Sequence, residues 1–202
     1  DAGYYALQAR WIEQSNQWLA PLWFGEPVFD RCIGAQWLMA LSLRLLNGAS
    51  WALEVPALVA ALISLVLTGW LAERLMPGRS ATGILAMVLL ALTPLWVNYA
   101  HLATQDMPLL AVEMGGICAL VASRYKGRRW WPLLAGAAPG LAFLIKGFMV
   151  ALPVLAVAPF LVLERRWLLR SWAFWLGVLL GWLPVALWLS LSLHTYGLPV
   201  VS

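Results

Sequence analysis

The chain has 202 residues, 63% of them hydrophobic and 11% charged, against roughly 25% charged in soluble domains, which excludes a water-soluble globular domain. The net charge of +4 does not mark a nucleic-acid binder, because the basic residues cluster at the ends of apolar stretches instead of covering one exposed face. The two cysteines, Cys32 and Cys118, encode neither a disulfide framework nor a metal cluster; a divalent cation is the one cofactor left open.

Residues 1–49 read as a segment outside the membrane. Tyr4, Leu7, Trp11 and Trp18 form an apolar stripe at helical spacing, with Arg10, Glu13, Asn16 and Gln17 opposite. That pattern predicts a helix lying in the membrane interface. Pro21 and the turn Gly25-Glu26-Pro27 end it. A second interfacial helix is expected over 30–46, stopping at Asn47-Gly48. Asp30, Arg31, Gln36 and Arg44 argue against a span there.

Six apolar stretches follow, at 51–71, 81–99, 104–123, 130–145, 148–163 and 171–193. Most approach the ~20 residues that a helix needs to cross a bilayer. The loops after the first, third and fifth stretches, at 73–79, 124–129 and 164–170, hold nine of the thirteen Lys and Arg. The positive-inside rule puts these loops in the cytoplasm and the alternate connections outside. Trp51, Trp70, Trp96, Trp130, Trp131 and Trp172 fall near the expected interfaces. Residues 130–163 would span ~51 Å as one straight helix, far beyond a ~30 Å core. A turn at Lys146-Gly147 resolves this and leaves the ammonium at the outer surface.

The expected fold is therefore all-α, a polytopic transmembrane bundle of about six spans in three hairpins, preceded by interfacial amphipathic helices. Residues 1–49 form the outer segment and 50–202 the membrane domain. With Asp1 first and a stop shortly after an apolar stretch, the chain reads as a fragment with further membrane segments on both sides.

Most polar groups have an ordinary structural explanation. Thr104 would cap the third apolar helix, with Asp106 in its first turn favoured by the helix dipole. Asp30 and Arg31 form a solvated pair, Lys146 snorkels to the headgroups, and His101 pads the interface. Glu54 lies near an interface, whereas Glu113, two turns inside a span, must be paired, neutral or facing a cavity. Yet the topology gathers Asp1, Asp30, Arg31, His101, Asp106 and Lys146 on one outer face above a hydrophobic slot. That arrangement suits sugar transfer from a polyprenyl-phosphate donor. The tail needs an apolar groove, the phosphate needs cations, and the acceptor needs a carboxylate base.

Several strings support this reading. Asp1-Ala-Gly-Tyr-Tyr-Ala6, Trp18-Leu-Ala-Pro21, Gly25-Glu-Pro-Val-Phe-Asp-Arg31, Ala100-His-Leu-Ala-Thr-Gln-Asp-Met107 and Gly140-Leu-Ala-Phe-Leu-Ile-Lys-Gly147 occur in this order. Together they resemble the GT-C glycosyltransferases, most of all the group joining protein O-mannosyltransferases with the lipid A aminoarabinose transferase. The resemblance implies a polyprenyl- or dolichyl-phosphate-sugar donor, a lipid, protein or glycan acceptor, and an inverting transfer outside the membrane. It implies that Asp1 and Asp106 are catalytic, that Arg31 and Lys146 bind the donor phosphate, and that Asp30, His101 and Tyr5 support them. It further implies an integral protein of a bacterial inner membrane with its site facing the periplasm. Partners are then the donor, the acceptor and membrane lipids, not nucleic acid. The chain departs from the family pattern at Ala2, where a second acid is usual, and at Cys32-Ile33, where Pro is usual. Two other readings stay open: a transporter or flippase using Glu54 and Glu113, and an inactive scaffold.

Overall fold

A computed structural model describes residues 2–20, 22–23, 26–78, 81–123 and 130–197. Asp1, Gly25, Arg79 and the basic loop 124–129 lie outside the described residues.

The segment before the first long helix is built from α1 (Ala2–Ser15) and α2 (Gly34–Leu45), packed on each other. The buried face of α1 is Tyr5, Gln8, Ala9 and Ile12. Leu7 and Trp11 of the expected stripe are exposed instead, and Trp18 lies past the helix end. An apolar stripe turned away from the protein is what a helix leaves for a membrane interface. Ile12, Ile33, Met39 and Leu43 are fully buried between the two helices and their neighbours, each worth about 1.5–3 kcal/mol of burial. A two-residue antiparallel bridge joins β1 (Leu22–Trp23) to β2 (Glu26–Pro27).

Helix α2 begins at Gly34 rather than at Asp30, and the reason is a close approach. A Cβ on Gly34 would lie 2.6 Å from the carbonyl oxygen of Leu144, so only glycine lets the 30–33 segment rest on the chain there. The expected stop at Asn47-Gly48 is present. Both residues have positive φ, 53° and 76°, and the Gly48 N–H donates to the Leu43 carbonyl at 2.8 Å.

All six apolar stretches are helical: α3 (Val55–Leu75), α4 (Thr82–Ala91) with α5 (Pro94–Ala100), α6 (Asp106–Ala122), α7 (Trp130–Lys146), α8 (Ala151–Glu164) and α9 (Trp172–Tyr196). The second stretch is broken. Thr93 is extended ahead of Pro94, and α4 and α5 meet at 71° because the proline ring disfavours helical backbone in the residue before it. By length and composition α3, α9 and the helical run Trp130–Glu164 could each cross a membrane, and the bent pair adds a fourth candidate. The protein is thus an all-helical integral membrane protein. The long run is not one rod. Ala135 on α7 and Leu161 on α8 line the same cavity, whereas a straight helix would hold them ~39 Å apart. The reversal comes after Lys146, at Gly147 with φ +62°.

Helices α7 and α9 touch through their backbones. Gly136 and Gly140 face Gly177 and Gly181; a Cβ on Gly177 would stand 2.0 Å from the Leu133 carbonyl oxygen, and one on Gly136 2.1 Å from that of Phe174. Small residues four apart on each partner are how helices pack when lipid removes the hydrophobic incentive to associate.

The connections sort to two ends. Trp70 of α3 stacks on Trp131 of α7 at 6.5 Å, and Leu168, after α8, clusters with Ala135 and Phe174. The end of α3, the start of α7 and residues 165–170 therefore share one end. At the opposite end lie α1, α2, residues 101–106 and the turn at Gly147, together with the C-terminus of α9. Trp188 and Ser192 of α9 both donate to the Leu19 carbonyl, at 2.9 and 3.2 Å, and tie the outer segment to the bundle.

Candidate active site

The site begins with two helix ends. Asp106 opens α6, in the positive field of that helix's N-terminus, and Lys146 closes α7, in the negative field of its C-terminus. Because the two helices run antiparallel, these ends are neighbours, and Lys146 Nζ donates to Asp106 Oδ1 at 2.5 Å. The side chains are 28% and 38% exposed, so the pair is reachable from outside. Thr104 is not the cap expected for α6. Gln105 holds that position without a capping hydrogen bond, and the Thr104 hydroxyl is buried without a partner.

Arg31 comes from the irregular segment that Gly34 allows to settle on α7. Its Nη1 donates to the Tyr5 hydroxyl at 2.5 Å, and its guanidinium carbon lies 5.4 Å from the Tyr5 ring centre. The Tyr5 hydroxyl donates to Gln105 Oε1 at 3.3 Å, and Gln105 Nε2 donates to the Cys32 carbonyl at 3.2 Å. Burial raises the Tyr5 pKa, while Arg31, through its charge and its hydrogen bond, and Lys146 pull it back; Asp106 pushes the same way as burial. The buried phenol thus senses all three charges. Beside it the Tyr4 hydroxyl donates to Asp30 Oδ2 at 2.9 Å, and that same oxygen stands 3.8 Å from Arg31 Nε. Burial, followed by the bond to Asp30 and that carboxylate's charge, pushes the Tyr4 phenol up to about 12.

Of the residues picked out in the sequence, Tyr5, Asp30, Arg31, Asp106 and Lys146 come together at one end of the bundle. His101 lies at the same end, where its Nδ1 pairs with the Val97 carbonyl of its own helix at 3.0 Å. Asp1 directly precedes α1 in the sequence but lies outside the described residues. Glu54 is exposed at the head of α3, while Glu113 lines the cavity between α6, α7 and α8. Among the described residues no group of three or more His, Cys, Asp or Glu could hold a metal ion.

Two contributors escaped the sequence reading. Gln105 sits beside Asp106 in one of the family-like strings, but a glutamine there carries no signal until Tyr5, 100 residues away, and Cys32, 73 residues away, arrive beside it. Gln8 and Gln36, both fully buried, pair across α1 and α2, with Gln36 Nε2 donating to Gln8 Oε1 at 2.9 Å. In the sequence Gln36 served only to argue against a span. The pairing satisfies one end of each amide, while Gln8 Nε2 and Gln36 Oε1 are buried without a hydrogen-bond partner.

A largely apolar slot of about 170 Å³, with Glu113 the one charged residue in its lining, lies between α6, α7 and α8. Val150 and Pro153, just past the Lys146 turn, line one end; Leu161 and Phe174 line the other. A wider apolar groove of about 530 Å³ lies on the opposite flank of α6, between α2 and α3, with Ile145 at its edge. The ion pair therefore stands at the junction of hydrocarbon-lined space and the outer surface.

The family model described as dolichyl-phosphate-mannose-protein mannosyltransferase matches residues 30–190. An undecaprenyl phosphate-alpha-4-amino-4-deoxy-L-arabinose arabinosyl transferase from Pseudomonas aeruginosa (strain UCBPP-PA14) is 30% identical over 175 residues, covering 83% of this chain and 31% of that protein. The protein of the same description from Edwardsiella ictaluri is 29% identical over 173 residues, with the same coverage. Among solved structures, ArnT from Cupriavidus metallidurans bound to undecaprenyl phosphate has a TM-score of 0.80 at 24% identity, covering 97% of this chain and 37% of that one. The apo state of that protein gives 0.79. The chain spans about a third of the length of these relatives.

Proposed function

The chain belongs to the dolichyl-phosphate-mannose-protein mannosyltransferase family, and from that premise we propose that it carries the catalytic face of a membrane glycosyltransferase. The enzyme moves a sugar from a polyprenyl-phosphate donor to a lipid, protein or glycan acceptor, with inversion, at the periplasmic face of a bacterial inner membrane. One observation carries the reading: Lys146 bonded to Asp106, with Arg31 held nearby on Tyr5, at the head of an apolar slot. A lipid phosphate requires that combination of fixed cations above hydrocarbon-lined space. The ArnT structure with bound undecaprenyl phosphate supports the donor class, and Arg74, Arg165, Arg166 and Arg170 at the far end support the orientation.

In this reaction Asp1 takes the proton from the acceptor hydroxyl, whose oxygen bonds to the anomeric carbon. The bond from that carbon to the phosphate oxygen breaks, and the polyprenyl phosphate leaves with the electron pair. Attack from the side opposite the leaving group inverts the centre. Arg31 presents a planar fork to the departing oxygens and Lys146 a point charge. A phosphate leaving group needs this electrostatic support more than it needs an acid. Asp106 orients the acceptor or Asp1, and Asp30 with Tyr4 steadies the segment that bears Arg31.

Incubating membranes containing the protein with labelled polyprenyl-phosphate sugars tests the proposal. Transfer of label to a lipid, protein or glycan fraction is the expected result. Absence of transfer from every donor, with the protein present and folded, would refute it.

A further inference from the structure

We infer that Gln105 is a positioning residue for donor recognition, aiming the Arg31 guanidinium by gripping it at two points. The inference rests on the proposal that Arg31 holds the donor phosphate. Gln105 is 2% exposed, and an apolar side chain of the same volume would fill its place with no polar group to satisfy. Its amide is used at both ends, and both ends bear on Arg31. The carbonyl accepts the only proton of the Tyr5 phenol. That leaves the phenol's lone pairs for the Arg31 N–H groups, one of which donates to it at 2.5 Å. The amide nitrogen donates to the carbonyl of Cys32, the residue bonded to Arg31. One bond therefore steadies the phenol that holds the arginine's tip, and the other holds the backbone one residue past it.

The position of Gln105 in the chain gives the grip a purpose. It immediately precedes Asp106, whose carboxylate holds Lys146. A single stretch of chain, Gln105-Asp106, thus links the support of the guanidinium to the carboxylate–ammonium pair. Arg31 is 40% exposed on its side chain, and the Asp30 carboxylate 3.8 Å from its Nε is itself 45% exposed, so Tyr5 is the buried restraint on its tip among the described residues. A guanidinium that samples many directions loses the bidentate geometry that phosphate recognition exploits.

The test is direct binding of undecaprenyl phosphate to the purified protein, alongside transfer kinetics. Gln105→Met keeps the volume and removes both hydrogen bonds; it is expected to weaken binding and raise the donor KM by about tenfold, the upper range for net loss of a neutral hydrogen bond. The acceptor KM stays unchanged. Tyr5→Phe, which cuts the same link from the other side, gives a similar loss and covers the case in which Gln105→Met fails to fold. In an Arg31→Ala background Gln105→Met has no further effect, because nothing is left to aim. Unchanged donor affinity in both single variants, or losses that add in full to that of Arg31→Ala, overturns the inference while leaving the transferase reading intact. Failure of the wild-type protein to bind any polyprenyl phosphate overturns both.

Discussion

Lys146 Nζ donates to Asp106 Oδ1 at 2.5 Å, joining the last residue of α7 to the first of α6. The bond is local in space and forty residues apart in sequence. It means that Lys146 does not wait as a free cation: an arriving phosphate must share it with a carboxylate. It also means that each charge screens the other from the apolar slot below.

Lys146→Ala is accordingly expected to lower transfer by about 10²–10³, the range for removing one group that stabilises developing charge. Asp106→Asn lowers it as well. Because the two act as a unit, the double variant should be no worse than the worse single one. Initial rates in membranes carrying equal amounts of each protein decide this, and fully additive losses would separate the two roles.

Asp1→Asn should reduce transfer by at least about a hundredfold, the lower range for a general base. Insertion and expression should not change. Wild-type rates in this variant would remove Asp1 from the mechanism.

Arg31→Ala should act mainly on donor KM, and Arg31→Lys should recover only part of the loss. An ammonium keeps the charge but not the fork, and it cannot reproduce the contact over the Tyr5 ring. Donor titrations at saturating acceptor measure both; equal KM values for lysine and arginine would argue against bidentate holding.

Gly177→Ala should destabilise the bundle by about 1–3 kcal/mol, since its Cβ would stand 2.0 Å from the Leu133 carbonyl oxygen. Gly115→Ala, where the only neighbour is a Leu67 methyl at 4.0 Å, is the control and should be neutral or stabilising. Thermal unfolding in detergent compares them.

The Tyr4 phenol should ionise late, at about 12 instead of 10. Below pH 10 it is protonated whether the chain is folded or not, and its stabilising contribution is present in full. That contribution is lost as pH rises through about 12. An absorbance titration of Tyr4→Phe should lack one late-ionising phenol; an unchanged late component would dissociate Tyr4 from Asp30.

Much of the architecture was legible because membrane helices declare themselves by composition. Apolar length located all six helical stretches, and charge at their ends sorted the loops. The excessive length of 130–163 demanded the reversal that Gly147 makes. Other features were written in the sequence and passed over. Pro94 signals the break between α4 and α5, and the Gly136/Gly140 and Gly177/Gly181 pairs are the spacing of a close helix contact. The inward face of α1 was a different matter. Its aromatic stripe read as the side that meets the membrane interface, and Leu7 and Trp11 are exposed; the packed face of Tyr5, Gln8, Ala9 and Ile12 carries two polar or small residues and so no apolar periodicity to announce it.

Residue type and spacing alone settled that this chain is a helical membrane protein with its charges at the helix ends, since the transfer energy of apolar and charged groups depends on little else. They also supplied Tyr5, Arg31, Asp106 and Lys146 as chemical possibilities. Only packing decided that these meet, and that Gln105 stands among them. Their contacts depend on how far α7 slides against α6 and how near Gly34 lets the 30–33 segment approach Leu144. Those offsets come from side chains interlocking across helices far apart in the chain, and no local pattern encodes them.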